Sequence, residues 1–348
     1  MDMSALQATL YNLNEDELFY RKYYFARQQE YSLKNFIATL DMNYVKARNL
    51  LISELPETIP PEYEDEWYFD LNNSQSISIL KHNCYSPAIP HHHTFFELIY
   101  VYDGKCNQSI GDSKIKMRTG DFCIIPPGVT HTIEVFDESV IIDILIRKNT
   151  LENIFFNFLR NDNILTMFFL NNIYSKNVND YIIFHSGDDY HIRTAISYML
   201  LEYINKDQYY YQMMSNTIMN VFGLLLRNYE KNVELPSIVK KSDVQRFALV
   251  RFIQDNHANV TLEDISKKFH FTPEYTSKLI KATTGYTFTH ILQKIRMEKA
   301  KSLLLDTNLS VSSIGLQIGY ETTEHFIRTF KKNQQMTPTE FRKSKDLF

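Results

Sequence analysis

Three kinds of signal are scarce or missing in this chain of 348 residues: paired cysteines, long apolar runs and a secretory start. Cys84, Cys106 and Cys123 are scattered and odd in number, which argues for a reducing compartment and against a disulfide framework or a thiolate zinc site. No run of about eighteen apolar residues predicts a membrane span, and residues 1–10 lack the basic start and apolar core of a signal peptide. We therefore expect a cytoplasmic protein without a membrane partner.

The charge of the chain is unevenly distributed. From Lys240 onward there are 18 Lys and Arg against 11 Asp and Glu, a surplus of +7, whereas the preceding residues hold 19 against 30, so that the whole chain carries −4. A basic C-terminal third on an acidic body predicts a polyanionic partner for that third alone.

The sequence pattern changes along the chain in a way that predicts several domains, and the length of the chain is sufficient for them. Helical signals, then short β-branched and aromatic runs, then helical signals again follow one another along the chain. We predict a helical N-terminal extension at 1–66, a β-barrel at 67–150, a helical dimerisation or linker region at 151–231, a linker at 232–243 and an all-α domain at 244–348. The extension is expected to pack against the next domain or a partner subunit.

Two stretches of the predicted barrel carry histidines. If residues 91–101 form a strand, alternation places His91, His93, Phe95 and Glu97 on one face. That face gathers two imidazoles and a carboxylate. In residues 120–131 a Pro-Gly turn presents a third imidazole, that of His131.

This spacing resembles the two motifs of the cupin family, HxH-x3-E-x6-G and G-x5-PxG-x2-H. In metal-dependent cupins the matching positions bind one divalent metal, which implies His91, His93, Glu97 and His131 here. The sequence departs from the pattern twice: Tyr85 stands where a glycine is expected, and Val135 where an asparagine is expected.

Three interpretations of this cluster are open. Three histidines and a carboxylate suit Zn, Ni, Fe or Mn by ligand type. The same groups can hydrogen-bond a polyhydroxyl or acidic effector in a mostly apolar cavity, where Trp67 and Phe95 would stack on a sugar. They can also be structural residues that satisfy one another and water. We favour direct effector contact and expect no cofactor, with a divalent metal as the alternative.

The C-terminal third contains two runs, residues 261–285 and 310–332, that each predict a helix, a tight turn and a second helix. In the first, Thr261 has the context of an N-cap, and Asp264 closes a capping box. Thr272 then caps the next helix, with Pro273 at its first position.

Each second helix presents polar side chains that suit contact with base edges or phosphates. We expect the first to bury Tyr275, Leu279 and Ile280 and to present Glu274, Ser277, Lys278 and Lys281. In the other unit Ser310 and Thr322 are the predicted caps and Gly319 supplies the turn. Its second helix presents Thr323, Glu324, His325, Arg328, Lys331 and Lys332, with Arg328 as the strongest candidate contact.

A single helix of about 18 residues is predicted between the two units, and at 1.5 Å per residue it spans about 27 Å. This nearly matches the ~34 Å between successive major-groove faces of DNA. Two recognition helices on such a spacer could enter adjacent segments of the major groove.

Residues 244–345 resemble the C-terminal domain of the AraC/XylS family of bacterial transcription regulators. His270 stands at the usual turn glycine and Gly315 at a usual alanine, where it costs roughly 1 kcal/mol if it lies mid-helix. The resemblance is carried by Ile265-Ser-x-x-Phe269, Tyr275-x-x-Lys278-Leu-Ile-Lys281, Gly285, Arg296-x-x-x-Ala300, Ile314-Gly, Ile318-Gly-Tyr320, His325-Phe, Arg328-x-Phe330-Lys-Lys332 and Thr337-Pro-x-x-Phe341-Arg342.

Together these features predict a regulator and not an enzyme, which binds promoter DNA under the control of a small effector such as a sugar; the family resemblance implies an activator. The resemblance implies a homodimer, and RNA polymerase as a further partner if the protein activates transcription. One alternative is a metal-dependent cupin enzyme with an appended DNA-binding domain. The other is a DNA-binding protein whose remaining domains bind no small ligand and which is controlled by contacts with other proteins.

Overall fold

The computed structural model describes residues 1–60, 63, 68–69, 77–148, 150–151, 163–174, 181–236, 241–284 and 286–344. These residues form two units, one of N-terminal helices with β-sheets and one of C-terminal helices. Trp67, Gly285 and residues 237–240 of the predicted linker lie outside the described residues. In the part of the chain that is described, no helix is long and apolar enough to cross a membrane.

The N-terminal extension is helical, as predicted. A capping box begins its second helix, because Asn14 accepts a hydrogen bond from the Glu17 backbone and the Glu17 carboxylate accepts one from the Asn14 backbone. Tyr20 and Tyr23 form an apolar cluster with Tyr85 of the barrel segment, so the extension packs against the barrel within its own unit. Its elements are α1 Met3–Tyr11, α2 Glu15–Ala26, α3 Glu30–Ala38, α4 Met42–Ala47 and a 3-10 turn at Pro56–Thr58.

Two antiparallel sheets form the cupin-like domain. The six-stranded sheet has the order β1-β7-β2-β5-β8-β9, and the three-stranded sheet has the order β4-β3-β6. The strands are β1 Ile77–Lys81, β2 Phe96–Asp103, β3 Lys105–Ile110, β4 Ser113–Arg118, β5 Asp121–Ile125, β6 His131–Glu134, β7 Val140–Ile146, β8 Ile182–His185 and β9 Val233–Glu234.

The core of this domain lies between the two sheets. Ile99 and Cys123 from the larger sheet meet Cys106 and Ile133 from the smaller one in a single buried cluster. Gly120 makes a tight turn possible beside this core: its φ is +87°, and a Cβ there would lie 1.6 Å from the carbonyl oxygen of Gly187. Only glycine fits such a position without moving the neighbouring backbone.

The predicted helical region 151–231 is not helical throughout. β8 lies within it and pairs with β5, because the β-branched and aromatic run Ile182-Ile183-Phe184 is buried as a strand of that sheet. α5 (Ile164–Tyr174) belongs by its contacts to the C-terminal unit. α6 (Tyr190–Asn205) and α7 (Tyr210–Tyr229) follow as a packed pair, and the Tyr102 hydroxyl on β2 meets Ser197 of α6 at 3.0 Å.

The C-terminal unit contains both predicted helix-turn-helix runs. Thr261, Ser310 and Thr322 each accept a backbone hydrogen bond as N-caps, and Thr272 accepts one from the Tyr275 N–H, so the predicted caps are confirmed. The helices are α8 Lys241–Asp255, α9 Leu262–Phe269, α10 Pro273–Thr284, α11 Phe288–Asp306, α12 Val311–Gln317, α13 Thr323–Gln334 and α14 Pro338–Ser344.

The spacer helix α11 has 19 residues, in agreement with the predicted length. Its Arg296 donates hydrogen bonds to the carbonyls of His257 (2.8 Å) and Ala258 (2.9 Å) and lies 5.6 Å from the Tyr320 ring centre. Gly319, at φ +95°, packs so close that a Cβ would come within 2.0 Å of the Ala258 carbonyl oxygen. Arg296 therefore joins the segment after α8 to the turn of the second helix-turn-helix run.

We expect Arg296→Ala to lower the free energy of unfolding of the C-terminal unit by about 3 kcal/mol, since hydrogen bonds from a charged donor contribute about 1.5–3 kcal/mol each. Arg296→Lys should lose less, because an ammonium can reach one carbonyl but lacks the planar fork that serves two. Urea denaturation followed by circular dichroism measures both. An alanine variant within 0.5 kcal/mol of the parent, a difference typical of neutral surface changes, would contradict this role.

Candidate functional sites: a barrel cavity and a nucleic-acid interface

The three predicted histidines are oriented in the same way, by backbone carbonyls. The Nδ1 atoms of His91, His93 and His131 lie 3.0, 2.8 and 3.0 Å from the carbonyl oxygens of Ile89, Phe95 and Val129. A carbonyl can only accept, so each Nδ1 carries a proton. Each ring therefore directs its Nε2 atom away from these backbone contacts.

Glu97 lies against the Nε2 atoms of two of these rings. Its Oε2 atom lies 2.8 Å from His131 Nε2 and 3.3 Å from His93 Nε2. Burial alone raises the pKa of Glu97, but the hydrogen bonds and charges of His131 and His93 outweigh it and hold the pKa well below its usual range. Burial lowers the pKa of His131, yet the bond to Glu97 leaves it raised. The two groups thus form a buried ion pair.

His91 differs from the other two rings. Burial and the neighbouring charge of His131 lower its pKa to about 4, so the ring is neutral near pH 7. With the proton on Nδ1, its Nε2 atom offers a lone pair. The ring centre lies 4.2 Å from that of His131. His91 therefore supplies an acceptor beside the ion pair.

The strand that carries these residues is shorter than predicted. β2 begins at Phe96, and His91 and His93 precede it in isolated bridges to His131 and Tyr63. The side chains of His91, His93, Phe95 and Glu97 nevertheless line one cavity, so the predicted grouping of these four is correct. His131 meets them through its bond to Glu97. Phe95 is buried and stacks on His93 with ring centres 4.3 Å apart, while Trp67 lies outside the described residues.

A divalent metal fits this donor set by chemistry. Ligand atoms of His91, Glu97 and His131 lie within 4.8 Å of one another. Metal-binding histidines commonly donate their other ring N–H to a backbone carbonyl, as all three do here. Binding would require the proton on His131 Nε2 to leave, because the ligand is the neutral ring. A proton and a metal ion therefore compete for the Nε2 atom of His131.

The cavity measures about 280 Å³ and reaches beyond the cupin motifs. The extension contributes Tyr20, Asn49 and Leu51 to its wall. Sequence reasoning missed these residues, and no local pattern could have indicated them, because the contact joins segments distant in the chain.

A second polar group on the cavity wall was also missed. His82 Nδ1 lies 2.9 Å from Asp143 Oδ2, and His82 Nε2 lies 3.0 Å from Ser86 Oγ. The other oxygen of Asp143, Oδ1, is buried without a hydrogen-bond partner in the described residues. Asp143 could have been identified from the sequence, because it is a single acidic residue inside the strongly apolar strand VIIDILI.

The first predicted recognition helix, α10, exposes most of its predicted contacts. Glu274, Lys278 and Lys281 are exposed, and Ser277 is half-buried. The prediction that Tyr275 is buried was wrong: 51% of it is exposed. Thr276 is buried instead, because its hydroxyl accepts a hydrogen bond from Ser266 of α9 at 3.0 Å, and Leu279 and Ile280 are buried as expected.

The second predicted recognition helix, α13, has a clearer outer face. Arg328 is exposed, as are Glu324, His325, Lys331 and Lys332. Thr323 is half-buried, and its hydroxyl lies 2.8 Å from that of Ser312 on α12, so it also joins the two helices. Phe326 and Phe330 on the opposite side are fully buried. The basic residues of α13 therefore stand on a face that the unit's own core does not use.

Comparisons with known proteins find family models that match two stretches of the chain. Residues 82–141 match the model of an AraC-like ligand binding domain, and residues 265–344 match that of a helix-turn-helix domain. The transcriptional activator RhaS of Escherichia fergusonii is 24% identical over 259 residues, which cover 74% of this chain and 88% of that protein.

Two further similarities cover about a third of the chain or less. The uncharacterized HTH-type transcriptional regulator YtdP of Bacillus subtilis is 29% identical over 127 residues, and this chain spans only 16% of its length. The solved C-terminal domain of AraT, a response regulator from Geobacillus stearothermophilus, is 35% identical and covers 29% of this chain and 84% of that chain, with a TM-score of 0.28.

We expect Glu97→Gln to destabilise the unit that contains the β-sheets by about 3–5 kcal/mol, because it leaves the buried His131 charge without its partner. The stabilisation from His131 is complete below the ordinary pKa of histidine and is lost as the pH rises through the raised pKa of His131. The stabilisation from Glu97 is complete above the ordinary pKa of glutamate and is lost as the pH falls towards the lowered pKa of Glu97. The difference from the parent should therefore be largest between about pH 4.5 and 6.5. Urea denaturation across pH 4–9 measures it.

Glu30→Gln is the matched control, because Glu30 forms an exposed pair with Lys34. Exposed pairs contribute about 0–1 kcal/mol, so this change should be nearly neutral at every pH. Equal effects of the two substitutions would contradict a buried ion pair at Glu97.

Proposed function

The chain belongs to the AraC/XylS family of transcription regulators, and on that premise we propose that it binds promoter DNA in the bacterial cytoplasm and changes activity when its barrel cavity takes up a small effector. The observation that carries the proposal is the combination in one chain of a histidine-lined cavity of about 280 Å³ and a pair of capped recognition helices. Relatives include activators, which favours activation.

For DNA, the two helices have different roles. Arg328 on α13 is exposed and makes no hydrogen bond or ion pair with the described residues, so its guanidinium is available for a base edge or a phosphate. Lys331 and Lys332 extend the same helix with positive charge and suit phosphate contacts. On α10, Lys278 and Lys281 serve the same purpose. Glu274, Ser277, Glu324 and His325 stand where they can discriminate between bases.

For the effector, the cavity favours a small molecule that donates hydrogen bonds. His91 and Glu97 place acceptor atoms at the wall, and Tyr63, Tyr68 and Phe95 provide aromatic faces. A sugar or another polyol matches this combination of acceptors and rings. An effector that binds one arrangement of the protein more tightly shifts the population towards it, which is how occupancy would reach the DNA-binding helices.

A divalent metal remains the second candidate for the same cluster, held by His91, His93, Glu97 and His131, because all three imidazoles already donate Nδ1–H to carbonyls. Such a metal would supply a Lewis acid to a bound ligand. Assembly as a homodimer through α6 and α7, and contact with RNA polymerase, stay predictions from the family resemblance.

We expect Arg328→Ala to weaken binding to the specific promoter by about 1–3 kcal/mol at fixed salt. Lys331→Ala should weaken binding to all DNA sequences to a similar extent and reduce the salt dependence of binding, because a complex with one phosphate contact fewer releases fewer counterions. Electrophoretic mobility shift and footprinting at several salt concentrations separate the two effects. Lys34→Ala on α3 is the control for simple loss of one positive charge; if it matched Arg328→Ala, the assignment would be wrong.

Effector and metal can be distinguished on the purified full chain. We expect a panel of neutral sugars and polyols to contain a compound that raises the melting temperature, and His91→Ala to abolish that shift while leaving ligand-free DNA binding intact. Elemental analysis after incubation with Zn²⁺, Ni²⁺, Fe²⁺ or Mn²⁺ tests the other candidate. Stoichiometric metal would favour it, and no response to any compound or metal would favour control by protein contacts.

A further inference from the structure

Ser86, His82 and Asp143 form a continuous hydrogen-bonded chain on the wall of the barrel cavity. His82 Nδ1 lies 2.9 Å from Asp143 Oδ2, and His82 Nε2 lies 3.0 Å from Ser86 Oγ. An ionised carboxylate only accepts, so Asp143 fixes the proton of a neutral His82 on Nδ1. The Nε2 lone pair then faces the serine hydroxyl. This is the arrangement in which a base activates a nucleophile and a third group orients the base.

The three residues of this hydrogen-bonded chain differ in their position in the fold and in their burial. Asp143 is 3% exposed in the middle of β7, a strand that is buried along its whole length. His82 follows the end of β1, and Ser86 is half-buried. All three line the same cavity of about 280 Å³ as His91 and Glu97. A ligand in this cavity can therefore reach the serine hydroxyl.

The turn that carries Ser86 is held from outside the barrel. Tyr85 has φ +61°, which reverses the backbone and brings Ser86 back to His82. The Tyr85 ring packs against Tyr24 of α2 at 5.5 Å, and the Cys84 N–H donates to Glu17 at 3.2 Å. Non-glycine residues rarely adopt this conformation, so the contacts with the extension are what hold the turn.

A donor for a developing oxyanion stands in the same turn. Asn83 lines the cavity, and its side-chain amide makes no hydrogen bond to the part of the chain that the structure describes. An amide N–H that is free to reach a carbonyl oxygen is the group that stabilises a tetrahedral intermediate. Burial lowers the pKa of His82, but the charge of Asp143 outweighs it and leaves the pKa raised. The same charge stabilises the imidazolium that forms when His82 takes a proton.

We propose that Ser86 is a nucleophile that accepts the acyl group of a small carboxylic ester, lactones included, bound in the barrel cavity. Ser86 Oγ attacks the carbonyl carbon while its proton passes to His82 Nε2. The bond to the alkoxide breaks, and the alkoxide leaves with the proton from His82. Water then attacks the acyl group, gives its proton to His82, and releases the carboxylic acid as Ser86 recovers a proton. The sum is ester plus water to acid plus alcohol.

Asp143 is a positioning residue in this scheme, since it acts through His82, whereas Ser86, His82 and Asn83 touch the reacting atoms. The proposal rests on the proposed function only in using the same cavity for a small molecule. A sensor with this chemistry would take up an ester covalently, and hydrolysis would reset it.

The test uses diisopropyl fluorophosphate on the full chain, because this reagent phosphorylates an activated serine with loss of fluoride. Intact-mass spectrometry should show one added diisopropylphosphoryl group, and peptide mapping should place it on Ser86. Ser86→Ala should abolish the label. Ser53→Ala is the matched control and should keep it, because the half-buried Ser53 hydroxyl lies beside Tyr23 and not beside an imidazole.

Kinetics distinguish a positioning role from a structural one. Asp143→Asn should lower the limiting labelling rate by on the order of 10²-fold or more, while the reagent concentration at half-maximal rate stays the same. Asn83→Ala should slow release of 4-nitrophenol from 4-nitrophenyl acetate by on the order of 10²-fold. Melting temperatures identify any variant that fails to fold.

Absence of label on Ser86 in the parent chain overturns the proposal, as does equal labelling of Ser86→Ala. Promoter binding and the response to polyols are measured on the same samples. If those persist without labelling, the acyl-transfer proposal fails and the proposed regulator stands. If Ser86 is labelled but no compound changes promoter binding, the sensor function fails and the chemistry stands.

Discussion

A carboxylate buried inside a barrel is the constraint on which the sensor unit depends. Glu97 cannot remain ionised there without partners, since moving a charge out of water costs several kcal/mol even after relaxation. Its partners come from two separate parts of the chain: His93 from the segment before β2 and His131 from the first position of β6. Both rings are fixed in turn by backbone carbonyls. Correct closure of the two sheets is thereby linked to the pairing of one charge.

The departure from the cupin pattern at Tyr85 is explained by the helical extension. The position adopts φ +61°, which is why a glycine is expected there. In this chain the backbone strain is offset by burying the Tyr85 ring against α2, where Arg21 lies 6.0 Å above it. Glu17 adds an ion pair of 2.7 Å to Lys81 at the end of β1. The helical extension thus shapes the wall of the cavity.

Sequence patterns correctly predicted the features that depend on residues close together in the chain. The caps at Thr261 and Thr322 and the length of α11 follow from side chains within one or two turns, and His270 adopts φ +57° at the turn where the family has glycine. What failed depends on distant partners. Tyr275 was expected to be buried because it is aromatic on an apolar stripe, yet Thr276 holds that place through Ser266. The pairing of His82 with Asp143 joins residues 61 apart, which no periodicity reveals.

α5 has a consequence for how this protein can be divided or recombined. Chain order places it between β7 and β8 of the sensor sheet, but it packs against α8 and α10 of the C-terminal unit. Its Leu165, Phe168 and Phe169 are buried. A fragment that begins after residue 236 would contain both helix-turn-helix runs yet expose the surfaces that α5 covers, and the complementary fragment would carry an uncovered apolar helix. An exchange of sensors between relatives would therefore have to transfer α5 along with the DNA-binding helices it completes.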